Sequence, residues 1–325
     1  MMKRIILVAT GGTIAGVASR PDDLSGYKAG ALGPEALLAA VPDLAGRVRI
    51  VPESPFSIDS KDILPSHWLA LAHVLAERLA DAAVDGIVVT HGTDTIEETA
   101  WFLHLVLPPS KPVVLTCAMR PASALSADGP LNLSQAVLLA ASGLTTGLGV
   151  VVAVNGEIHG AREVTKRHTQ AIDAIGSPSG PLGRCDPPRL DRRPATDDAG
   201  ALPLATLGPL PDIRLIDVPG GADPFFLEVV AAGAATGGAG GGDSPGIVLA
   251  CPGNGNLPEA WIPAAERALA AGIVLVRASR TGAGAVADKP EMPGLAAGTL
   301  PPAKARIALM LALAARRPET FSEIA

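Results

Sequence analysis

The chain has 325 residues, of which 48% are hydrophobic, 18% charged and 3% aromatic. At roughly 100–200 residues per domain, this length predicts two domains, and the composition is typical of a folded α/β protein. The formal net charge is -6 and no cluster of lysine and arginine stands out. This pattern argues against a nucleic-acid-binding protein.

The cysteines and the N-terminus exclude further classes of protein. Cys117, Cys185 and Cys251 are dispersed and form no C-x-x-C pair. This spacing predicts neither a disulfide framework nor a zinc site, and we expect no metal and no cofactor. The apolar run Ile5–Ala9 is too short for the core of a secretory signal, and no stretch is long and apolar enough for a membrane span. We therefore expect a cytoplasmic protein without a membrane partner.

In the first half of the chain, apolar runs that end in small or polar residues alternate with helical patterns. The predicted strands are Arg4–Ala9, Gly86–Thr90, Pro112–Cys117 and Gly149–Val154. The predicted helices are Pro34–Ala40, Ser66–Ala83, Ile96–Leu107 and Ser134–Ser142. Such alternation is typical of βαβ units that form a buried parallel sheet.

The alternation pauses in a Pro-, Asp- and Arg-rich segment from Pro187 to Pro211 and then resumes. The later predicted strands are Ile213–Val218, Gly246–Cys251 and Ile273–Ala278, and the later helices are Pro224–Ala232, Pro263–Ala271 and Pro302–Ala315. The glycine-rich run Gly237–Asp243 predicts a surface insertion. We therefore predict two α/β domains with mainly parallel sheets, over residues 1–190 and 212–325, with a linker over residues 191–211.

The first motif, TGGTIAG at residues 10–16, directly follows the first predicted strand. Ligands of open parallel sheets bind beyond the carboxyl ends of the strands, and glycines let the backbone approach a ligand closely. The motif lacks the Gly-Lys-Ser/Thr of a P-loop and the G-x-G-x-x-G of a dinucleotide site. The structural alternative is a glycine-rich turn in which Thr13 only hydrogen-bonds locally.

The second motif, THGTDT at residues 90–95, follows another predicted strand. Asp94 or Thr95 can cap the helix that begins next, which explains part of the motif. A cap does not explain why Thr93 stands beside an aspartate at the sheet edge that also carries Thr13. The two motifs together therefore indicate a site.

Four other features have both a structural and a functional interpretation. Lys166 is a lone lysine, normally a solvated charge, but a lysine partly stripped of water can act as a base. His91 precedes a glycine, where a histidine more often satisfies backbone groups than reacts. The loop GNGN at residues 253–256 is typical of left-handed turn residues. Tyr27, the single tyrosine, lies in a Gly-, Asp- and Ser-rich loop, which suggests a lid.

These features resemble one family along nearly the whole chain. Ala9–Gly16 and His91–Thr95 are similar to the two signature motifs of the bacterial-type L-asparaginase/glutaminase family. Further similar segments are Cys117–Pro121, Ser126–Pro130, Gly253–Asn256 and Gly298–Leu300. The resemblance implies a larger N-terminal catalytic domain and a smaller C-terminal domain. It also implies active sites between the subunits of a homodimer, two of which usually form a homotetramer.

The resemblance also implies roles for single residues. Thr13 matches the nucleophile and Tyr27 the tyrosine of a mobile loop. Thr93, Asp94 and Lys166 match a threonine, an aspartate and a lysine that take part in catalysis. The implied substrate-binding residues are Ser60 for the α-carboxylate, Thr93, Asp94 for the ammonium, Ala118 near the leaving amide, and Asn256 from the neighbouring subunit.

We therefore predict a hydrolase of asparagine catabolism, an amidohydrolase that converts free L-asparagine to L-aspartate and ammonia through a Thr13 acyl-enzyme. Its partners would be a small-molecule amino acid and further copies of itself, with no nucleic acid. The alternatives are a glutaminase-asparaginase of broad specificity and an amidotransferase-type subunit. Subunits of the second kind have an N-terminal extension, which we expect this protein to lack. A non-catalytic homologue should lack Thr13, Thr93 or Lys166, and a nucleotide-binding module should have a phosphate loop.

Two departures from the family concern selectivity. Lys61 follows Ser60 where the family often has a glutamine that helps to hold the substrate amine, and a lysine there would repel an ammonium unless it points away. The segment Thr281–Leu295 looks shorter than in secreted members, where a neighbour's glutamate reaches that amine. Glu291 and Asp288 are the candidate carboxylates. We expect a strong preference for asparagine over glutamine.

Overall fold

The computed structural model describes residues 2–235 and 246–325. The chain forms two compact units, Met1–Leu204 and Ala205–Ala325. Both are α/β, with mainly parallel sheets, as the sequence predicts. The division falls inside the segment predicted as a linker, and Leu202 from that segment is buried in the first unit. The predicted insertion at residues 237–243 lies outside the described residues.

Strands and helices alternate along the first unit. Its strands are β1 (Arg4–Ala9), β2 (Val17–Ala18), β3 (Tyr27–Lys28), β4 (Arg49–Glu53), β5 (Gly86–Thr90), β6 (Val113–Thr116), β7 (Val150–Val154), β8 (Glu157–Gly160), β9 (Thr165–Lys166), β10 (Ile175–Gly176), β11 (Gly183–Cys185) and β12 (Pro188–Leu190). Its helices are α1 (Pro34–Ala39), α2 (Pro65–Ala80), α3 (Ile96–Val106) and α4 (Gly129–Ser142).

Eight of these strands form one sheet in the order β12-β11-β8-β7-β6-β5-β1-β4. Strands β4, β1, β5, β6 and β7 are parallel, whereas β8, β11 and β12 pair antiparallel with their neighbours. All residues of β5 and β7 are buried. Strands covered on both faces appear in a sequence as continuous apolar runs, which is why the central strands were predictable.

The outer strands of this sheet and the first turn of α4 differ from the prediction. β4 pairs with β1 at the edge and contains Pro52, which an edge strand tolerates because proline lacks a backbone donor. β12 lies within the segment interpreted as irregular, because three residues with a proline give no periodicity. α4 begins at Gly129 rather than Ser134, since Pro130 suits the first turn of a helix.

The second unit contains a four-stranded parallel sheet in the order β13-β14-β15-β16. Its strands are β13 (Ile213–Asp217), β14 (Gly246–Cys251), β15 (Val274–Ser279) and β16 (Leu295–Ala296), and its helices are α5 (Phe225–Ala235), α6 (Ile262–Ala270), α7 (Pro302–Ala314) and α8 (Thr320–Ile324). Ile247, Leu249, Leu275 and Trp261 share its core. In the described parts of the chain, no helix is long and apolar enough to cross a membrane.

Candidate active site

The loops after β1, β5 and β6 leave the same edge of the first sheet, because these parallel strands are neighbours. Thr10 donates to the Thr90 carbonyl through its backbone N–H at 3.1 Å and through its hydroxyl at 2.9 Å. The His91 N–H donates to the Thr116 carbonyl at 2.9 Å. These bonds continue the strand pairing into the loops and hold the first residues of each motif side by side.

Glycines allow the two threonine motifs to pack backbone against backbone. Gly11 and Gly12 have φ angles of 99° and 78°, which residues with side chains rarely adopt. A Cβ on Gly12 would overlap the backbone of Gly92, and one on Gly11 would overlap the Ile58 carbonyl. A side chain at Gly12 would therefore push the two motifs apart, and one at Gly11 would displace the backbone of Ile58.

Thr13 contacts the single tyrosine of the chain. Thr13 Oγ1 lies 2.6 Å from Tyr27 Oη, and Thr13 is only 7% exposed. Tyr27 reaches this position because β2 and β3 pair antiparallel, with Ala18 opposite Tyr27. The sequence predicted a lid tyrosine near the first glycine motif, and the structure brings its hydroxyl into hydrogen-bonding distance of Thr13.

Lys166 contacts two side chains of the second motif. Its Nζ donates to Thr93 Oγ1 at 2.9 Å and to Asp94 Oδ1 at 2.6 Å. Thr93 is 5% exposed, whereas the Asp94 side chain is 51% exposed. Because an ammonium group only donates, the Thr93 oxygen accepts this bond and its own hydrogen remains available to a third group.

His91 supports the second motif from beneath. Its Nδ1 lies 2.8 Å from the Gly92 carbonyl and its Nε2 lies 3.0 Å from Thr99 Oγ1. Trp68 Nε1 donates to Thr99 Oγ1 at 2.9 Å, so the Thr99 hydroxyl donates to Nε2 and the hydrogen of Nδ1 binds the carbonyl. Burial lowers the pKa of His91 to about 4, against the opposing effect of the Gly92 bond. The ring is therefore neutral at pH 7, in agreement with its predicted structural role.

Ser60 lies beside the same loop. It is 3% exposed, and a Cβ on Gly92 would overlap its side chain. The Ser60 carbonyl accepts a hydrogen bond from Thr95 Oγ1 at 2.9 Å. Ser60 therefore packs directly against the second threonine motif.

Lys61, in contrast, is engaged by the carboxylates of its own turn. Its Nζ lies 2.8 Å from Asp59 and 3.0 Å from Asp62, and its side chain is 61% exposed. These hydrogen bonds, first to Asp59 and then to Asp62, raise the pKa of Lys61. Lys61 is therefore an exposed lysine that is ion-paired within its own turn, contrary to the expectation that its charge faces a substrate amine.

The loop after β6 is held by a residue to which the sequence assigned no role. Asp128 accepts the backbone N–H of Met119 at 2.9 Å and that of Arg120 at 3.0 Å. Ala118 is fully buried, and both Ala118 and Ile14 lie within reach of a Cβ placed on Gly129. An aspartate before a helix usually caps that helix, so the position of Asp128 indicates a cap rather than a bond to the preceding loop.

Two family models cover most of the chain. One, described as Asparaginase, N-terminal, matches residues 4–194, and the other, described as Glutaminase/Asparaginase C-terminal domain, matches residues 228–324. The chain belongs to the asparaginase family. It is thus an amidohydrolase. Within residues 2–235 and 246–325, no cluster of three or more His, Cys, Asp or Glu side chains is arranged to hold a metal.

Relatives within the asparaginase family cover nearly the whole chain. A probable periplasmic L-asparaginase from Haemophilus influenzae is 40% identical over 322 residues, which cover 96% of this chain and 89% of that protein. A glutaminase-asparaginase from Pseudomonas fluorescens biotype A is 35% identical and covers 96% of this chain and 86% of its own. The crystal structure of a probable cytoplasmic L-asparaginase from Campylobacter jejuni has a TM-score of 0.89 at 36% identity, over 99% of this chain and 98% of that one.

The remaining candidate residues of this asparaginase-family chain lie in the second unit. Asn256 is exposed and its Oδ1 accepts a hydrogen bond from Lys289 at 3.1 Å. Arg277 is fully buried and donates to the Gly255 carbonyl at 3.0 Å. Burial lowers the pKa of Arg277, and the carboxylates of Asp288 and Glu291 are among the charges that oppose this effect. Both candidate carboxylates therefore lie within electrostatic reach of the side chain that holds the Asn256 loop.

Proposed function

We propose that this enzyme hydrolyses the side-chain amide of free L-asparagine to L-aspartate and ammonia through an acyl-enzyme on Thr13. The observation that carries the proposal is a pair of buried threonines at one sheet edge, each with its own partner for proton transfer. Thr13 lies 2.6 Å from the Tyr27 hydroxyl, and Thr93 lies 2.9 Å from the Lys166 ammonium nitrogen. Relatives named L-asparaginase support the substrate class.

In the first step, Thr13 Oγ1 attacks the amide carbon and its hydrogen leaves through a neighbouring group. A threonine hydroxyl is a weak nucleophile until such a group removes its hydrogen. Tyr27 is in contact with Thr13, and the Thr93–Asp94–Lys166 set is the alternative acceptor. The amide nitrogen takes up a proton, the C–N bond breaks, and ammonia leaves behind an ester on Thr13.

In the second step, water attacks the ester carbon. Thr93, oriented by Lys166, takes part in activating this water, and the bond to Thr13 Oγ1 breaks as a proton returns to that oxygen. Aspartate is released and the free threonine is restored. Backbone N–H groups of the two motifs would stabilise the oxyanion in both steps, because such donors are fixed before charge develops.

The substrate would be held by groups of opposite charge or polarity. We assign the α-carboxylate to Ser60 and the ammonium to Asp94, whose exposed carboxylate can form a charge-assisted bond. Ala118 would accept a hydrogen bond from the side-chain amide. Asn256 would come from a neighbouring subunit, so we propose a homodimer or homotetramer. A fully active monomer in sedimentation over a dilution series would contradict this shared site.

A glutaminase-asparaginase of broad specificity is the second candidate. Three relatives of that description are 32–35% identical to this chain. In addition, the ion pairs of Lys61 with Asp59 and Asp62 remove the repulsion that favoured asparagine. The preference for asparagine therefore rests on the relatives named L-asparaginase.

We also propose a cytoplasmic location. All three cysteines are buried and free, as is usual in a reducing compartment. The relatives differ, since the Haemophilus protein is described as periplasmic and the Campylobacter protein as cytoplasmic. Fractionation of the source cells tests the location, and activity in a periplasmic fraction would contradict it.

The decisive test of the reaction is ammonia release by the purified full chain with L-asparagine, L-glutamine and their D-isomers. We expect the highest kcat/KM with L-asparagine. Hydroxylamine added during turnover should also intercept the ester on Thr13 and yield β-aspartyl hydroxamate. Folded protein that releases no ammonia from L-asparagine would contradict the proposal, and equal kcat/KM for L-glutamine would favour the second candidate.

A further inference from the structure

Two side chains at the start of α4 bind three successive peptide groups of the loop after β6. Asn132 Nδ2 donates to the Cys117 carbonyl at 3.0 Å, and Asn132 Oδ1 accepts from the Asn155 N–H at 3.0 Å. One carboxylate oxygen of Asp128 accepts a hydrogen bond from the Met119 N–H, and the other accepts one from the Arg120 N–H. Two acceptors on one rigid carboxylate fix the orientation of two peptide planes at once.

The direction of the Ala118 carbonyl follows from one of these bonds. The N–H of Met119 and the carbonyl of Ala118 belong to the same planar, trans peptide group, in which they point in opposite directions. Because the N–H points at Asp128, the carbonyl points away from it. Burial raises the pKa of Cys117, the preceding residue; Asp128 raises it further and Lys166 lowers it, so both charges act on this loop.

The Ala118 carbonyl has no donor of its own. Ala118 is 0% exposed, and within the described residues 2–235 and 246–325 this oxygen accepts no hydrogen bond. Most buried carbonyls are paired, since an unpaired one loses its bonds to water without replacement. A buried acceptor left unpaired, beside a fixed N–H on the same peptide, is suited to a donor supplied by a ligand.

We propose that Asp128 is a positioning residue that aims the Ala118 carbonyl at the nitrogen of the leaving amide. This inference rests on the proposed function. The nitrogen of an amide carries hydrogens to donate, and it gains positive charge as it takes up a proton before the C–N bond breaks. A carbonyl fixed in advance therefore binds the transition state more strongly than the bound substrate. Asp128 itself binds the backbone N–H groups of Met119 and Arg120 and the side chain of Asn132, and acts through the peptide behind this carbonyl.

The test compares an amide with an ester in Asp128→Asn. The asparagine side chain offers one acceptor and one donor group, so it can satisfy only one of the two N–H groups and must turn the peptide of Ala118. Hydrolysis of L-asparagine should fall by about tenfold to a hundredfold, mainly in kcat, because a small misplacement of a group at the reacting centre has effects of this size. Aspartate β-methyl ester carries no hydrogen on its leaving oxygen, so its hydrolysis should fall by less than about threefold.

Two further variants control for general damage to the loop. Ser126→Ala removes a hydroxyl that contacts Arg120 in the same loop while leaving both bonds of Asp128 in place, and it should hydrolyse both substrates like the wild type. Asp128→Glu keeps both acceptor oxygens on a longer stem and should restore part of the amide activity. Thermal unfolding of each variant shows whether the loop change has destabilised the fold, which would affect both substrates alike.

The outcomes separate this inference from the proposed function. Equal losses with amide and ester in Asp128→Asn, or no loss with either, would overturn the positioning role. Asp128→Glu provides the same comparison if Asp128→Asn does not fold. If wild-type protein fails to hydrolyse L-asparagine, the proposed function itself fails and this inference fails with it, whatever the variants do.

Discussion

The two buried threonines follow adjacent strands, yet their partners differ in charge and in origin. Thr13 contacts a neutral phenol 14 residues away, carried by a hairpin of two-residue strands. Thr93 contacts the ammonium of Lys166, 73 residues away. A hydroxyl can give or take a hydrogen, whereas an ammonium can only give one until it has lost a proton. The contrast supports attack by Thr13 and orientation of water by the Thr93 set, and four substitutions test this division.

The largest effect is expected for Thr13→Ala. Loss of the nucleophile should reduce asparagine hydrolysis by about 10⁴-fold or more, because no ester can form. Ammonia release by folded protein measures this effect, and the retained hydroxyl in Thr13→Ser should preserve part of the activity. Turnover of even about a tenth of the wild-type value in Thr13→Ala would assign the nucleophile to another residue.

The next largest effects are expected for Thr93→Val and Lys166→Met. Each should reduce kcat by about 10²–10⁴-fold, the range of general acid–base catalysis. Because the two side chains are hydrogen-bonded and would act as one unit, the double variant should be little worse than either single variant. Losses that multiply would show that the two residues act independently.

A smaller effect is expected for Tyr27→Phe, which keeps the ring over the first motif and removes only the hydroxyl bonded to Thr13. We expect a loss of about a hundredfold in kcat, since the Thr93–Asp94–Lys166 set remains to accept a proton. The exposed Ser25, whose hydroxyl hydrogen-bonds Asp23, provides the control variant Ser25→Ala in the same loop. A fully active Tyr27→Phe enzyme would remove the phenol from the mechanism and leave the second set as the only base.

The smallest effect is expected for Lys61→Gln. Since Asp59 and Asp62 already balance this exposed charge, kcat/KM for asparagine and for glutamine should each change by less than about threefold. Steady-state kinetics with both substrates measures the change. A large gain with glutamine alone would instead show that Lys61 governs selectivity, as the sequence comparison suggested.

Much of the fold was predictable because burial leaves a pattern in the sequence. Strands such as Arg4–Ala9 and Gly86–Thr90 were predicted to the residue, since parallel strands covered on both faces are continuously apolar. β4 was missed because its proline breaks the pattern. The first turn of α4 was missed because its buried face carries the polar residue Asn132. The Asn132 side chain binds the Cys117 carbonyl and does not contribute to a hydrophobic periodicity.

The candidate site was predictable in its residue types and less so in its supports. Family motifs indicated Thr13 and Lys166, but the role of Asp128 depends on the direction of a peptide plane, which no side-chain pattern encodes. Lys61 shows the opposite limit. Its position in the motif suggested a charge facing the substrate, whereas two carboxylates on the same short turn engage it locally.

The distribution of tryptophan gives each unit its own fluorophore. Trp68 and Trp101 are buried in the first unit, and Trp261 is buried in the second, where its Nε1 donates to the Ala222 carbonyl at 2.9 Å. The indole of Trp68 is also joined through Thr99 to His91, so its emission reports on the backbone beneath the second threonine motif. Replacing Trp68 and Trp101 with phenylalanine leaves an enzyme whose emission follows only the second unit, and replacing Trp261 leaves the complementary one. Denaturant unfolding followed by fluorescence in the two proteins would then show whether the unit that contains Thr13 and the unit that contains Asn256 unfold in a single transition.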